Sequence, residues 1–212
     1  SHEDREMFAR VYDVDWTRLR VVPNGIFAFG AGGDAADTAT ARDAQTVVFV
    51  GSDYGPNNDA ARFVVDSLAP RLPSVTFALI GSCCNALGGR VLPENVRALG
   101  VLEEDAKRDW LQRATLAVNP LATGSGTSIK MFDFMAARLP SLTTAVGGRG
   151  INNAGGEAFA LASLEQFAPV LADLLQDPAR REAIADAGRR TVEAFYAWER
   201  ISPSLGRLFR KR

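Results

Sequence analysis

Apolar residues follow two alternating patterns over most of this chain. The run 46–50 is continuous and rich in β-branched residues, which is typical of a strand buried on both faces. Residues 58–69 then carry Ala61, Val64 and Leu68 at helical spacing. Further strands are predicted at 75–80, 95–99, 115–118, 141–145 and 158–162, and further helices at 103–114, 127–137, 164–175, 178–194 and in a closing segment to 209. This alternation predicts an α/β fold, a Rossmann-like, doubly wound parallel sheet with helices on both faces.

The first 25 or so residues do not share this alternation. Residues 3–12 have the spacing of a short amphipathic helix, and 19–22 is predicted to be a short strand that ends at the turn signal Pro23-Asn24-Gly25. Residues 30–43 are rich in Gly, Ala, Asp and Thr without periodicity, so we expect a loop there. We interpret the N-terminal segment as the end of a preceding domain and a hinge.

Charge and hydropathy exclude several function classes. The formal net charge is -1 and the sequence pI about 5.9, so no broad basic field is available for nucleic acid. No apolar run reaches the ~18 residues that cross a bilayer, and the polar N-terminus does not resemble a signal peptide. We therefore expect a cytoplasmic protein, with membrane association only at the inner face and only through other parts of a longer protein.

The histidine and the cysteines limit the chemistry further. His2 is the sole histidine and lies at the terminus, which argues against a Ser–His or Cys–His catalytic pair. Cys83 and Cys84 are adjacent, and two neighbouring cysteines make no disulfide framework, so we expect reduced, partly buried thiols. With no further ligands nearby, a zinc site is not expected.

The most informative segment follows the strand predicted at 115–118 and opens the next helix. Glycines allow a tight turn close to a ligand, and free amides at a helix start form an anion site. Lys130 adds a full positive charge, and Asp133 lies three residues later on the same helix face. Lys130 can therefore meet a phosphate while Asp133 accepts hydrogen bonds from sugar hydroxyls. The segment reads Gly124-Ser125-Gly126-Thr127-Ser128-Ile129-Lys130-Met131-Phe132-Asp133.

Two simpler interpretations of this segment stay open. A Gly-Ser-Gly turn before a helix is often only a turn with a capping hydroxyl, and Lys130 with Asp133 can be an ordinary exposed pair. The largely apolar helix around the pair favours a ligand cleft instead. The segment is not a P-loop, because the Gly-Lys-Ser/Thr ending is missing, and it does not occupy the position of the dinucleotide fingerprint.

Several motifs, in order, resemble the C-terminal domain of family-4-type retaining glycosyltransferases (glycosyl transferases group 1), which have the GT-B fold of two Rossmann-like domains. Residues 21–26 resemble the "V-V-P-N-G-V" signature, and 49–57 resemble "F-x-G-S-x-Y-x-P-N". Residues 124–136 resemble "G-S-G-T-x-x-K-x-x-E-x-M-A". Residues 139–141, 147–150 and 196–198 match a later strand, a glycine-rich turn and a "Y-S-W" motif, so the resemblance covers nearly the whole chain.

The resemblance implies a nucleotide-diphosphate sugar as the bound substrate. It implies that Lys130 contacts the diphosphate, as the catalytic cation, and that Asp133 binds the ribose hydroxyls. The loop after the first strand should face the diphosphate or the sugar, and residues 100–103 should lie near the base. The donor-binding residues are then Gly51, Ser52, Asn57, Gly124, Ser125, Gly126, Thr127, Lys130 and Asp133. No metal or cofactor is expected.

Three departures from the family pattern matter. Ser125 stands where many members have a glutamate, Asp133 is one methylene shorter than the usual Glu, and residues 52–58 lack the basic residue that many members carry. Lys130 would therefore act with amides and hydroxyls alone.

The expected organisation has three parts. Residues 1–25 would be the tail of an N-terminal acceptor domain and a hinge, 26–195 the donor-binding domain, and 196–212 a C-terminal helix packing back toward the N-terminal domain. This chain alone would bind donor and transfer nothing. The alternatives are a non-catalytic Rossmann-like module for a phosphorylated metabolite and, less supported, an interaction scaffold. The sequence leaves the base, the sugar and the acceptor open.

Overall fold

The computed structural model describes residues 1–27, 45–153 and 157–209. Six parallel strands in these ranges form one sheet in the order β3-β2-β1-β4-β5-β6, as the alternating pattern predicted. Val48 of the first strand lies between Ala78 and Ala117 of its two neighbours. The strands are β1 Thr46–Val50, β2 Thr76–Ile80, β3 Val96–Gly100, β4 Leu116–Asn119, β5 Ser141–Thr143 and β6 Ala160–Leu161.

Helices connect the strands and pack on both faces of the sheet. A π-helical turn, Val64–Leu68, extends α2, and a 3-10 helix, Ser82–Leu87, follows β2. The α-helices are α1 His2–Tyr12, α2 Gly55–Phe63, α3 Glu104–Arg113, α4 Lys130–Ala136, α5 Phe167–Gln176, α6 Pro178–Phe195 and α7 Trp198–Phe209.

The core has two layers because successive side chains of a strand point to opposite faces. Val47 and Phe49 belong to one buried cluster, which includes residues of α2 and α5. Val48 belongs to the other cluster, which includes most of α4. This division confirms the doubly wound architecture.

Some element boundaries differ from those predicted. Helix α2 begins at Gly55 rather than residue 58, since Pro56 lies in its first turn, where proline needs no amide partner. Helix α4 begins at Lys130 rather than residue 127, because 124–129 forms an irregular loop. The strand predicted at 19–22 is wrong, since that segment pairs with no strand. The loop predicted at 30–43 lies outside the described residues.

The Pro-Asn-Gly segment meets the start of the last helix. Ile26 forms an isolated parallel bridge with Ala197, in which the Ile26 amide donates to the Tyr196 carbonyl at 2.8 Å. The Trp198 amide donates to the Ile26 carbonyl at 3.0 Å. A Cβ at Gly25 would lie 2.7 Å from the Trp198 ring, so the two segments are in close contact. The domain limits 1–25, 26–195 and 196–212 stay predictions.

None of the helices within the described ranges is both long and apolar enough to span a bilayer.

Candidate functional site

The candidate site lies at the point where the strand order reverses. Strands β1 and β4 are neighbours, but the chain leaves them toward opposite halves of the sheet. Their carboxyl ends therefore border a crevice, which is the usual ligand position in open α/β sheets. A cavity of about 320 Å³ occupies it. Its lining residues are Val50, Gly51, Ser52, Tyr54, Pro56, Asn57, Leu121, Gly124, Ser125, Gly126, Thr127, Ser128, Ile129, Lys130, Asp133 and Val146.

The structure brings together every residue predicted to bind the donor. Gly51, Ser52 and Asn57 come from the loop after β1 and the start of α2. The residues from Gly124 onward come from the loop after β4 and from α4. The structure shows that these residues line one cavity, and their roles in binding stay predictions.

Lys130 is the first residue of α4 and points its ammonium across the crevice. Its Nζ donates to Asn57 Oδ1 at 2.6 Å and lies 4.6 Å from the centroid of the Phe49 ring. The Asn57 amide nitrogen donates to the backbone carbonyl and the hydroxyl of Ser52, each at 3.2 Å. Lys130 is thus held by a neutral oxygen and an aromatic face, with the loop after β1 fixed by the same asparagine.

Burial lowers the pKa of Lys130 to about 8, despite a small opposite effect of the nearby Cys83. Within the described part of the chain, no carboxylate forms an ion pair with this ammonium. A largely buried cation without a counterion is unfavourable unless a ligand supplies the negative charge. The electrostatics of the cavity therefore favour an anion.

The loop before α4 presents a series of backbone amides. Gly124 has φ 150° and Gly126 has φ 73°, conformations that side chains disfavour, so glycine is favoured at both positions. The amides of 124–130 donate to no other described protein group. Arg149 lies behind the loop, with Nη2 at 3.4 Å from the Gly124 carbonyl oxygen and 3.5 Å from that of Gly126. The loop can therefore turn amides toward an anion.

Between Gly124 and the end of α4, the amides without a protein acceptor among the described residues are those of the loop 124–129 and of Lys130, and not those further along α4. The amides of Met131 and Phe132 already donate to the carbonyls of Ser128 and Ile129, at 3.1 and 2.9 Å. The amides of these two residues are therefore not available to a ligand. The short turn that starts α4 uses them instead.

Asp133 lies in the same cavity as Lys130 but pairs with a different cation. Its Oδ2 is 3.5 Å from Nζ of Lys107 on α3. Burial raises the pKa of Asp133, and the charge of Lys107 opposes that rise. The two partners predicted from the sequence therefore share one cavity without forming an ion pair.

Asn119, which the sequence analysis did not single out, joins the loops around the cavity. It ends β4, its side chain is fully buried, and its Nδ2 donates to Ser128 Oγ and to the Gly147 carbonyl, each at 3.2 Å. A Cβ at Gly147 would lie 2.5 Å from that Nδ2, so only glycine fits there. The sequence feature that could have identified Asn119 is its place as a polar residue at the end of an otherwise apolar strand.

Cys83 lies beneath the loop after β1. It is buried, Cys84 is half-buried, and both thiols are free, as predicted. A Cβ at Gly51 would be 3.2 Å from Cys83 Sγ, so the cysteine packs directly under that glycine. Among the described residues, no group of three or more His, Cys, Asp or Glu could hold a metal ion, and metal independence stays a prediction.

A parallel sheet whose strand order reverses next to a cavity belongs to the doubly wound, Rossmann-like class of fold. Residues 44–177, well over half of the chain, match the family model described as glycosyl transferases group 1, and the chain belongs to that family. The family resemblance and the GT-B fold inferred from the motifs are thereby confirmed.

Individual relatives agree with this assignment. The chain is 29% identical over 120 residues to a GDP-mannose-dependent monoacylated α-(1-6)-phosphatidylinositol monomannoside mannosyltransferase of Corynebacterium glutamicum, covering 53% of this chain and 32% of that protein. S. aureus TarM, crystallised with UDP, superposes with TM-score 0.78 at 13% identity, covering 100% of this chain and 43% of that one. Anabaena HepE, crystallised with UDP-glucose, gives TM-score 0.74 at 15% identity, covering 98% and 61%. The chain thus spans less than two thirds of each relative.

Proposed function

We propose that this chain is the nucleotide-sugar-binding domain of a glycosyltransferase, and that Lys130 and the amides of 124–130 bind the diphosphate of the donor. The observation that carries the proposal is the Lys130 ammonium, which is largely buried in the cavity and, among the described residues, is held by a neutral asparagine oxygen and an aromatic ring rather than by a carboxylate. A diphosphate supplies the negative charge that this arrangement lacks, and the loop supplies the hydrogen-bond donors.

The relatives support the class of ligand and leave the base open. TarM was crystallised with UDP and HepE with UDP-glucose, while the mannosyltransferase is described as GDP-mannose-dependent. All of these ligands contain a nucleoside diphosphate, which is the part that Lys130 would recognise. Family membership favours a transferase over the alternative of a non-catalytic metabolite-binding module.

The same contacts would assist the chemical step. Breaking the bond between the sugar and the diphosphate leaves negative charge on the departing phosphate. We expect Lys130 and the loop amides to stabilise that charge, and Asp133 to accept hydrogen bonds from the ribose hydroxyls. Transfer with retention of configuration is proposed from the family resemblance, together with independence from metals.

The acceptor would be held by a second domain of the full-length protein. The chain covers only part of each of these relatives. We therefore expect these 212 residues to bind the donor and not to transfer the sugar. Any association with a membrane surface would arise from the full-length protein.

The proposal is tested by calorimetry, in which the affinities for UDP, GDP and ADP are each compared with the affinity for the corresponding nucleoside. For the preferred base, Lys130→Ala should weaken diphosphate binding by roughly 10- to 100-fold, the value of a charge-assisted contact. Binding of the nucleoside should hardly change.

Arg62→Ala is the matched control, since Arg62 is an exposed cation on α2 that pairs with Asp59. It should leave both affinities unchanged. Equal diphosphate affinity in wild type and Lys130→Ala would reject the proposed site.

A further inference from the structure

Asp133 is an acidic residue of the cavity lining, and one of its carboxylate oxygens faces a lysine of α3. Its side chain is 24% exposed, and Oδ2 faces the Lys107 ammonium at 3.5 Å. A carboxylate has two oxygens, each able to accept more than one hydrogen bond. With Oδ2 turned to Lys107, Oδ1 remains available to a hydroxyl donor in the cavity.

Lys107 is itself anchored. It lies on α3, its side chain is 19% exposed, and Nζ contacts Glu104 Oε1 at 3.0 Å. Glu104 is largely exposed, so the ammonium bridges a solvated carboxylate and a mostly buried one. This bridge ties α3 to α4 at the edge of the cavity, 26 residues apart in sequence.

Burial would otherwise favour the neutral form of Asp133. It raises the pKa of this carboxyl, and so does the negative charge of Glu104, whereas the positive charge of Lys107 lowers it. A neutral carboxylic acid is a weaker acceptor than a carboxylate. Lys107 therefore favours both one orientation of the Asp133 carboxylate and its ionised form.

We propose that Lys107 is a positioning residue that holds the Asp133 carboxylate toward the ribose hydroxyls of the bound nucleotide, and so sets the preference of the site for ribose. This inference rests on the proposed nucleotide-binding function. A carboxylate that is already held in one orientation loses less conformational freedom on binding.

The test compares each ribonucleotide with its 2′,3′-dideoxy form, using UDP and GDP pairs and the full 212-residue chain. Wild type should bind the preferred ribonucleotide ~10-fold or more tightly than its dideoxy form, as a charge-assisted hydrogen bond predicts. Lys107→Met should reduce this ratio several-fold, with the dideoxy affinity unchanged, and Lys107→Arg should restore most of it.

Arg113→Met provides the matched control, because Arg113 lies on the same helix and pairs with Asp109 rather than with a cavity residue. It should keep the wild-type ratio. Thermal unfolding identifies any variant that is not folded at the titration temperature, and in a folded Lys107→Met variant the proposed role changes only the ratio.

Three results would overturn the inference. Lys107→Met could weaken both forms equally, it could change neither, or wild type could fail to prefer ribose. In each case, tight binding of UDP or GDP by wild type would still support the proposed diphosphate site. If no nucleoside diphosphate binds to wild type, the proposed function fails as well.

Discussion

At the residue scale, the unusual feature is the Lys130 ammonium, which pairs with no carboxylate of residues 1–27, 45–153 or 157–209. Its Nζ contacts Asn57 Oδ1 and lies over the Phe49 ring, both of which are neutral. The nearest acidic residue on its helix, Asp133, is paired with Lys107 instead. The described residues therefore leave the charge of Lys130 unbalanced, and a diphosphate is a group that would balance it.

The pKa of Lys130 predicts how diphosphate binding depends on pH. Burial depresses this pKa from 10.5 to about 8, so the ammonium is mostly charged at pH 7 and mostly neutral at pH 9.5. A bound diphosphate favours the charged form, so binding takes up a proton above pH 8. Diphosphate affinity should be level from pH 7 to 8 and then fall, approaching tenfold per pH unit.

The measurement is a series of titrations with the preferred nucleoside diphosphate between pH 7 and 9.5. Lys130→Ala should show weak affinity with no such fall, since the titrating group is gone. A wild-type profile parallel to that of the variant would mean that the ammonium does not face the ligand.

Local sequence identified Lys130 but could not identify its neighbours. A glycine-rich loop opening a helix is a pattern within ten residues, so Lys130, Gly124 and Gly126 could be singled out. The pairing of Asp133 with Lys107 depends instead on how α3 packs beside α4. The bond from Asn119 to Gly147 likewise joins residues 28 apart, and no periodicity reveals it.

At the scale of elements, the loop between β4 and α4 carries the site. Its shape depends on Gly126, which has φ 73° and open space where a Cβ would stand. Alanine there would cause backbone strain of about 1–2 kcal/mol but no steric clash. The loop should relax that strain by turning its amides away from the cavity.

Gly126→Ala should therefore weaken nucleoside diphosphate binding by roughly 5- to 10-fold, as expected when about one hydrogen bond is lost. Gly89→Ala is a matched control, because Gly89 has φ 76°, open space around its Cβ position, and no place in the cavity lining. Both variants should lose similar stability in thermal unfolding. A similar loss of affinity in both would show that the effect is not specific to the loop.

The elements themselves were predicted well, and their ends less well. β1 has the limits that its apolar run predicted. The segment 19–22 has strand-like residues, but a strand requires a hydrogen-bonded partner, and Ile26 alone finds one. Helix α4 was predicted three residues too long at its start, because hydrophobic spacing does not show that the glycine loop continues to Ile129.

At the scale of the whole molecule, the strand order of the sheet brings motifs that are distant in sequence to one site. The loop after β1 and the loop after β4 are some 70 residues apart in sequence, and the order β2-β1-β4-β5 places them side by side. The alternation of strands and helices predicted a doubly wound sheet, and the general rule for such sheets then located the crevice. The contact between Ile26 and Ala197 was not predicted, since it joins segments near opposite ends of the chain.

The measurement that tests the central claim most directly is a crystal structure of this chain with the nucleoside diphosphate that binds best. We expect the diphosphate in the cavity between Gly51 and Gly126, with Lys130 Nζ about 3 Å from a phosphate oxygen and several amides of 124–130 donating to the same group. A diphosphate bound elsewhere, with Lys130 still on Asn57 and the loop amides facing solvent, would contradict the account.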